Sequence, residues 1–400
     1  MCGDSGVWGS FCIFAVVIYV NMKKTRNILG AVALAGLMLT SSVADAQERR
    51  TLREWGFPIG IFETGKNNAI TDVAGVTVGQ VTCVEGDSVR TGVTAIVPHQ
   101  GNIFKNKVPA AIYAGNGFGK LAGYTQVEEL GNIETPVVLT NTLSVAAGIE
   151  GLVRYTLSQP GNEAVRSVNA VVGETNDGKL NKIRDMRVTP SMVLEAIGKA
   201  ESGPVAQGNV GAGTGTICFG FKGGIGTASR VLPESLGGYT IGVLVQSNYG
   251  GVLEIDGVQV GRKLCKYDFR KQILKTDNVD GSCMMVVVTD APLDARNLKR
   301  VAKRAMMGLA KTGGIASNGS GDYVIAMSVA KENLVEQGKK MQSMNVLDNG
   351  EMSSIFCATI EATAEALWNS MFMAETMKGY NGYEVEALPV EKVVEMLNNR

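Results

Sequence analysis

The sequence predicts sheets covered by helices, an α/β or layered α+β domain and not an all-β one. Apolar strand-like runs alternate with helical patterns, and near-continuous apolarity marks strands buried on both faces. Glycine is abundant, 50 of 400 residues, against an average usage of about 7%. It is interleaved with Val, Ile, Ala and Thr, as tight turns and close backbone approach in a packed sheet protein require. No linker, charge run or internal repeat breaks the chain after residue 46, so a single domain over 47–400 is expected.

Strands are expected at Val76–Val81, Thr94–Val97, Ala110–Ala114, Val137–Leu139, Ala170–Val172, Thr214–Phe221, Thr240–Val245, Met284–Thr289 and Tyr323–Ser328. A helix over Thr142 to Ser158 follows the fourth of these. Thr189 stands at a cap position ahead of Ser191 to Ala200, with Pro190 in the first turn. Ala295 to Lys311 has apolar residues at helical spacing and a basic outer face. Asp290-Ala-Pro292 is expected to give that helix its capping carboxylate and starting proline. Ile355 to Lys378 reads as a long, alanine-rich amphipathic helix.

From Met22 the chain has the pattern of a secretory signal. Lys23, Lys24 and Arg26 precede the apolar run Ile28 to Leu39, and Ala44-Asp45-Ala46 forms an A-x-A site before Gln47. The run is shorter than the roughly 20 residues needed to span a bilayer. The expectation is a leader over 1–46 whose true start is Met22, cleavage near Ala46, and a periplasmic or secreted protein. A two-span N-terminus is the alternative.

Lysine plus arginine equals aspartate plus glutamate at 38 each, so charge points to neither nucleic acid nor anionic membrane. Beyond the leader, Cys83, Cys218, Cys265, Cys283 and Cys357 are scattered and form no C-x-x-C pair. They suggest neither a disulfide scaffold nor a zinc ribbon. The single histidine, His99, sits in the turn Val97-Pro-His-Gln-Gly101. A metal site built on histidine needs more in most layouts, and a Ser-His-Asp triad would have to recruit a loop residue. No metal or cofactor is expected.

Gly115-Asn-Gly-Phe-Gly-Lys120 resembles a phosphate loop but departs from both the G-x-x-x-x-G-K-[ST] and the G-x-G-x-x-G patterns. Gly211-Ala-Gly-Thr-Gly215 and Gly223-Gly-Ile-Gly226 read as strand-end turns. Asn318-Gly-Ser-Gly-Asp322 places a hydroxyl and a carboxylate two residues apart before a strand, where a plain turn is the competing reading. The step Gly281-Ser282 opens the run Met284 to Thr289. Taken alone it is a turn. Its chemical alternative is self-cleavage, which would release a serine whose own α-amine, with a reference pKa near ~7.7–8.0, can take the hydroxyl proton.

Together these strings resemble the DmpA/P1 family of self-processing N-terminal-serine aminopeptidases, which includes L-aminopeptidase/D-amidase-esterases and β-peptidyl aminopeptidases. The likeness runs from about Arg53 to Gly382. It is carried by Asn68-Ala-Ile-Thr-Asp-Val-Ala-Gly75, Pro109-Ala-Ala-Ile-Tyr-Ala-Gly-Asn-Gly117, Gly173-Glu-Thr-Asn-Asp-Gly178, Gly211-Ala-Gly-Thr-Gly215 with Phe219-Gly-Phe-Lys-Gly-Gly224, and Gly242-Val-Leu-Val-Gln-Ser-Asn248. The Gly281-Ser282 step, Asn318-Gly-Ser-Gly-Asp322 and Ala358-Thr-Ile-Glu-Ala-Thr363 complete it.

The resemblance implies an α+β fold, a four-layer αββα sandwich like that of the N-terminal-nucleophile hydrolases. It also implies cleavage between Gly281 and Ser282 into an α chain, 47–281, and a β chain, 282–400, with tetramers of such pairs. Ser282 would be the nucleophile, Asn248 would steady the oxyanion, and Ser320 and Asp322 would hold the nucleophile and its amine. In the β-peptidase branch that acid is glutamate, one methylene longer. Glu174 would pair with the free amine of a short peptide or amide substrate. Asn176 falls where the family places an oxyanion-site tyrosine; an amide there can still donate. Cys283, beside Ser282, is in principle a second candidate nucleophile, but side chains alternate along a strand, so only one of the two faces the site. A catalytically retired binding protein, and a transferase passing the acyl group to an amine, are the alternative functions.

Overall fold

The structure is a computed structural model describing residues 49–273 and 281–400, in which 50–400 form one compact unit. The expectations for the leader, 1–46, lie outside the described residues. Nine strands build two sheets. The first sheet uses β1 (Thr77–Glu85), β2 (Val89–Val97), β4 (Val137–Asn141) and β5 (Val171–Thr175), in the order β1-β2-β4-β5. The second runs β3-β9-β8-β7-β6, from β3 (Asn106–Gly117), β6 (Ile225–Val231), β7 (Thr240–Asn248), β8 (Ser282–Thr289) and β9 (Gly321–Ser328). Short strands at Val335–Glu336 and Asn132–Ile133 pair with β3.

Alternation along β8 explains the layering. Met284, Val286 and Val288 enter a core between the sheets with Val93, Val138 and Val172. Cys283, Met285 and Val287 point the other way, into a core shared with helices α3 (Ala295–Lys311) and α4 (Met352–Phe372). Helices α1 (Val145–Leu157) and α2 (Pro190–Gly198) cover the outer face of the first sheet. The order is therefore helix, sheet, sheet, helix, the four-layer arrangement the resemblance implies. At the inner seam Gln246 of β7 donates to the carbonyls of Thr140 at 3.1 Å and Ala212 at 2.8 Å, tying the two sheets beside the site.

Most expected elements are present, usually longer than their apolar cores. Thr189 caps α2 by accepting from the Met192 N–H, and Pro190 is its first residue. Three expectations need correction. The run 214–221 is not one strand. Phe219 and Gly220 both take positive φ, 51° and 74°, and such a pair closes a tight hairpin, here joining Ile217–Cys218 to Phe221–Lys222. Asp290 does not cap α3; it accepts the Thr240 N–H at 2.8 Å, and Asp294 is the cap, accepting from Asn297 N at 2.8 Å. The last helix ends at Phe372, before a short pairing of Met377–Lys378 with Glu384–Val385. It is not amphipathic either. From Ala362 to Phe372 every residue is buried, because β6 and β7 lie against one side and α3 against another.

A buried ionic cluster joins segments far apart in the chain. Arg230 Nη2 lies 2.6 Å from Glu365 Oε2, and its Nε lies 3.1 Å from Glu361 Oε2. Arg53 reaches Glu365 at 3.0 Å, and Asn68 Nδ2 donates to Glu365 at 2.7 Å.

Candidate active site

Ser282 is the first residue of β8 and shares the face of Met284, toward the first sheet. Asn248, the last residue of β7, stands directly opposite it, and Gly321, the first of β9, lies beside it in the parallel pair. Three strand ends thus meet at one hydroxyl. Ser282 Oγ donates to the carbonyl oxygen of Gly281 at 2.8 Å and accepts the Gly321 N–H at 3.2 Å. Gly281 is confined: a Cβ there would stand 2.6 Å from Tyr249 Cα, so a larger residue would displace the backbone.

Asn248 is oriented by its carbonyl end. Its Oδ1 accepts the Ile217 N–H at 2.8 Å, which leaves the NH2 end as the donor it offers at the cavity. Ile217 belongs to the tight hairpin, and buried Lys222 pins that hairpin by donating to Gly213 O at 3.0 Å and Gly223 O at 2.8 Å. Burial brings the Lys222 ammonium down to about 7, while the buried Asp177 carboxyl is raised to about 7 for the same reason.

Ser320 and Asp322 flank Gly321, the partner of Ser282, and Asp322 pairs with Cys283. Ser320 Oγ donates to Asp322 Oδ1 at 2.8 Å. The other carboxyl oxygen is buried and, among the described residues, has no hydrogen-bond partner. Burial raises the Asp322 carboxyl to about 6, against the opposing pull of the Ser320 hydroxyl and the Cys283 N–H.

Glu174 stands near the end of β5, almost fully buried. It accepts from the Lys120 N–H at 2.9 Å and from the Thr142 hydroxyl. The Lys120 ammonium is 3.9 Å from Glu174 Oε1. Thr142 starts the helical turn after β4, whose cap, Asn141, accepts from Leu143 N at 3.1 Å. Asn176 is exposed, with its Oδ1 taken by the Gly178 N–H at 2.9 Å. Ser282, Asn248, Glu174 and Asn176 line one cavity of about 510 Å³, together with Lys120 and Lys179.

The structure therefore brings together the residues singled out from sequence. Ser320 and Asp322 do not line the cavity, although Gly319 and Ser282 do. Cys283 is fully buried on the helix side, and burial pushes its thiol well above its ordinary value, so it is not a rival nucleophile. His99 stays in its turn. Its Nδ1 accepts the Gly101 N–H at 3.1 Å and its Nε2 lies 2.9 Å from the Asn106 carbonyl. It does not line the cavity.

Sequence reasoning missed Thr142, Ile217, Lys222 and Lys120 as parts of the site. Lys120 has a signal, the Gly115–Lys120 string, but its likeness to a phosphate loop points to a different ligand. It is instead the segment at the end of β3 that cradles a carboxylate. Thr142 and Ile217 act on residues distant in the chain, and nothing in their local sequence marks them.

Known proteins share this architecture. The sequence pattern of peptidase family S58 matches residues 68–385. The β-peptidyl aminopeptidase BapA of Sphingosinicella microcystinivorans is 41% identical over 378 residues, covering 89% of this chain and 94% of that protein. A solved Burkholderia sp. β-aminopeptidase superposes with a TM-score of 0.79 at 36% identity, covering 88% of this chain and 99% of the other. The L-aminopeptidase D-Ala-esterase/amidase of Ochrobactrum anthropi, described as a variant of the Ntn hydrolase fold, gives 0.80 at 35% identity over 87% and 98% of the two chains.

Proposed function

The chain belongs to peptidase family S58 and is a hydrolase of the aminopeptidase and amidase kind; from this we propose that it cuts itself between Gly281 and Ser282 and then uses Ser282 to release N-terminal residues. Its substrates are short peptides or amides with a free amine, β-linked residues among them, as the names of the relatives suggest.

The observation that carries this reading is the setting of Ser282. Its hydroxyl lies 2.8 Å from the carbonyl oxygen of the bond to be cut, beside the Asn248 amide, at the wall of a cavity that holds a buried carboxylate. In self-cleavage Ser282 Oγ adds to the Gly281 carbonyl carbon, the C–N bond breaks, and the freed amine takes the proton. Water then hydrolyses the ester, leaving a Gly281 carboxylate and an N-terminal Ser282. In turnover the α-amine of Ser282 removes the hydroxyl proton as Oγ attacks the substrate carbonyl. The Asn248 NH2 donates to the oxyanion, a role typically worth ~3–4 kcal/mol. The leaving amine takes the proton back, and water releases the acyl group. Ser320 and Asp322 position the amine and hydroxyl. Glu174 pairs with the substrate ammonium, which favours aminopeptidase over endopeptidase action, and Asn176 donates from the rim.

Export through the leader, cleavage near Ala46, a periplasmic or secreted location and assembly of αβ pairs into tetramers complete the proposal. Aminoacyl and β-alanyl anilides, each with and without an N-acetyl cap, test it. The free amines are expected to be hydrolysed and the capped ones not. A Ser282→Ala variant should stay uncut and inactive; turnover by that variant would overturn the reading.

A further inference from the structure

The amine pocket holds a cation of its own. Lys120 Nζ lies 3.9 Å from Glu174 Oε1, too far for a hydrogen bond, and the lysine side chain is 57% exposed. Both residues line the cavity that contains Ser282. The second lysine of that wall, Lys179, acts on Asp268, a half-buried carboxyl raised to about 6 by burial and drawn back by the Gly251 N–H and, less, by the Lys179 charge. Lys120 has Glu174 as the acidic group against it.

When a substrate ammonium pairs with Glu174, it therefore arrives beside a second positive charge competing for the same carboxylate. An anionic group carried next to that ammonium removes the conflict by pairing with Lys120. The geometry thus reads a zwitterion, an ammonium and a carboxylate on one carbon. In an ordinary α-peptide that carbon carries the scissile carbonyl, and no carboxylate is left to offer. The requirement is met when the peptide bond is made through an acidic side chain. With one methylene between, the amine stands β to the scissile carbonyl, the relationship named in the β-peptidyl relatives. We propose that this site, resting on the aminopeptidase reading above, selects β-aspartyl peptides, with Glu174 taking the ammonium and Lys120 the α-carboxylate of the N-terminal residue.

The chemistry balances as plain hydrolysis. Ser282 Oγ bonds to the β-carbonyl carbon, the C–N bond breaks, and the leaving residue departs with the proton held by the Ser282 amine. Water then cleaves the ester and frees aspartate.

The test compares kcat/KM for β-aspartyl-leucine, β-alanyl-leucine and γ-glutamyl-leucine on processed protein. Wild type is expected to favour β-aspartyl- over β-alanyl-leucine by about tenfold, as one partly screened ion pair allows. That ratio should fall to about one in Lys120→Met, return in Lys120→Arg and persist in Lys179→Met. Turnover of β-alanyl-leucine with no gain from the added carboxylate overturns this inference alone, as does a ratio that survives Lys120→Met. Equal loss in both methionine variants, or preference for γ-glutamyl-leucine, also overturns it. Failure to cleave even β-alanyl-leucine would overturn the aminopeptidase reading with it.

Discussion

Asn248 and Ser282 face each other directly across the antiparallel pair of β7 and β8, on the same side of the sheet. The register that stacks Val245 on Met285 and Ile241 on Thr289 also fixes this pair. A one-residue slip would turn the serine into the helix-side core. The geometry of the proposed site and the core packing are therefore set by a single alignment of two strands.

The Asn248 amide presents its NH2 because its oxygen is held by Ile217 N–H. Asn248→Asp keeps the size and loses the donor. Activity of processed protein should fall about 10²–10³-fold in kcat, with a smaller change in KM, measured by steady-state kinetics.

Asp322 carries the next prediction, with its sign set by burial. Its carboxyl is raised above the ordinary 3.8 to about 6, so its contribution to the stability of the uncut chain is favourable below 3.8 and is lost as pH rises through about 6. Asp322→Asn cannot ionise, and it should stabilise the uncut chain above pH 7 by about 3 kcal/mol, roughly two units at ~1.36 each. It should also slow self-cleavage about tenfold, because the Ser320 hydroxyl that Asp322 holds would then donate to a neutral amide instead of a carboxylate. Denaturant unfolding of uncut protein and a time course of cutting measure the two effects.

The Arg230 cluster joins segments that cutting would place on different chains: Arg53 and Arg230 before Gly281, Glu361 and Glu365 after it. Removing one partner of such a buried set strands the others. Arg230→Met should cost about 3–5 kcal/mol in unfolding free energy. Burial raises the Glu365 carboxyl, but Arg53 and Arg230 outweigh it and hold it below its usual range. The stability this gives is present above the unfolded value of ~4.3 and is lost as pH falls through the folded value. Thermal unfolding from neutral to acid pH should show that loss in wild type and less of it in Arg230→Met.

Cys283 is sealed on the helix side with its thiol pushed up by burial. Cys283→Ala should keep self-cleavage and turnover while losing about 1 kcal/mol of packing. Alkylation of native protein followed by peptide mapping should leave this cysteine unmodified.

Much of the fold was legible because β8 states it twice: its apolar run marks a strand buried on both faces, and its alternation divides two cores. The hairpin at 217–222 was not legible, since left-handed φ at Phe219 is imposed by tertiary packing and its local sequence reads as strand. The long buried helix was assigned an outer face because alanine-rich runs do not declare how many neighbours surround them. Asp290 and Asp294 lie four residues apart, and only packing decides which caps the helix and which accepts from β7. Of the proposed site, Ser282, Asn248, Glu174, Ser320 and Asp322 are legible through the family's ordered motifs. Thr142 and Ile217 are not, because each serves the site through one hydrogen bond to a distant residue.

The most direct test of the account is the N-terminal sequence and intact mass of the chains in purified, active wild-type protein. The account predicts two chains, the smaller beginning Ser-Cys-Met-Met at Ser282 and the larger ending at Gly281. Full activity from a chain still intact across Gly281 and Ser282 would contradict it.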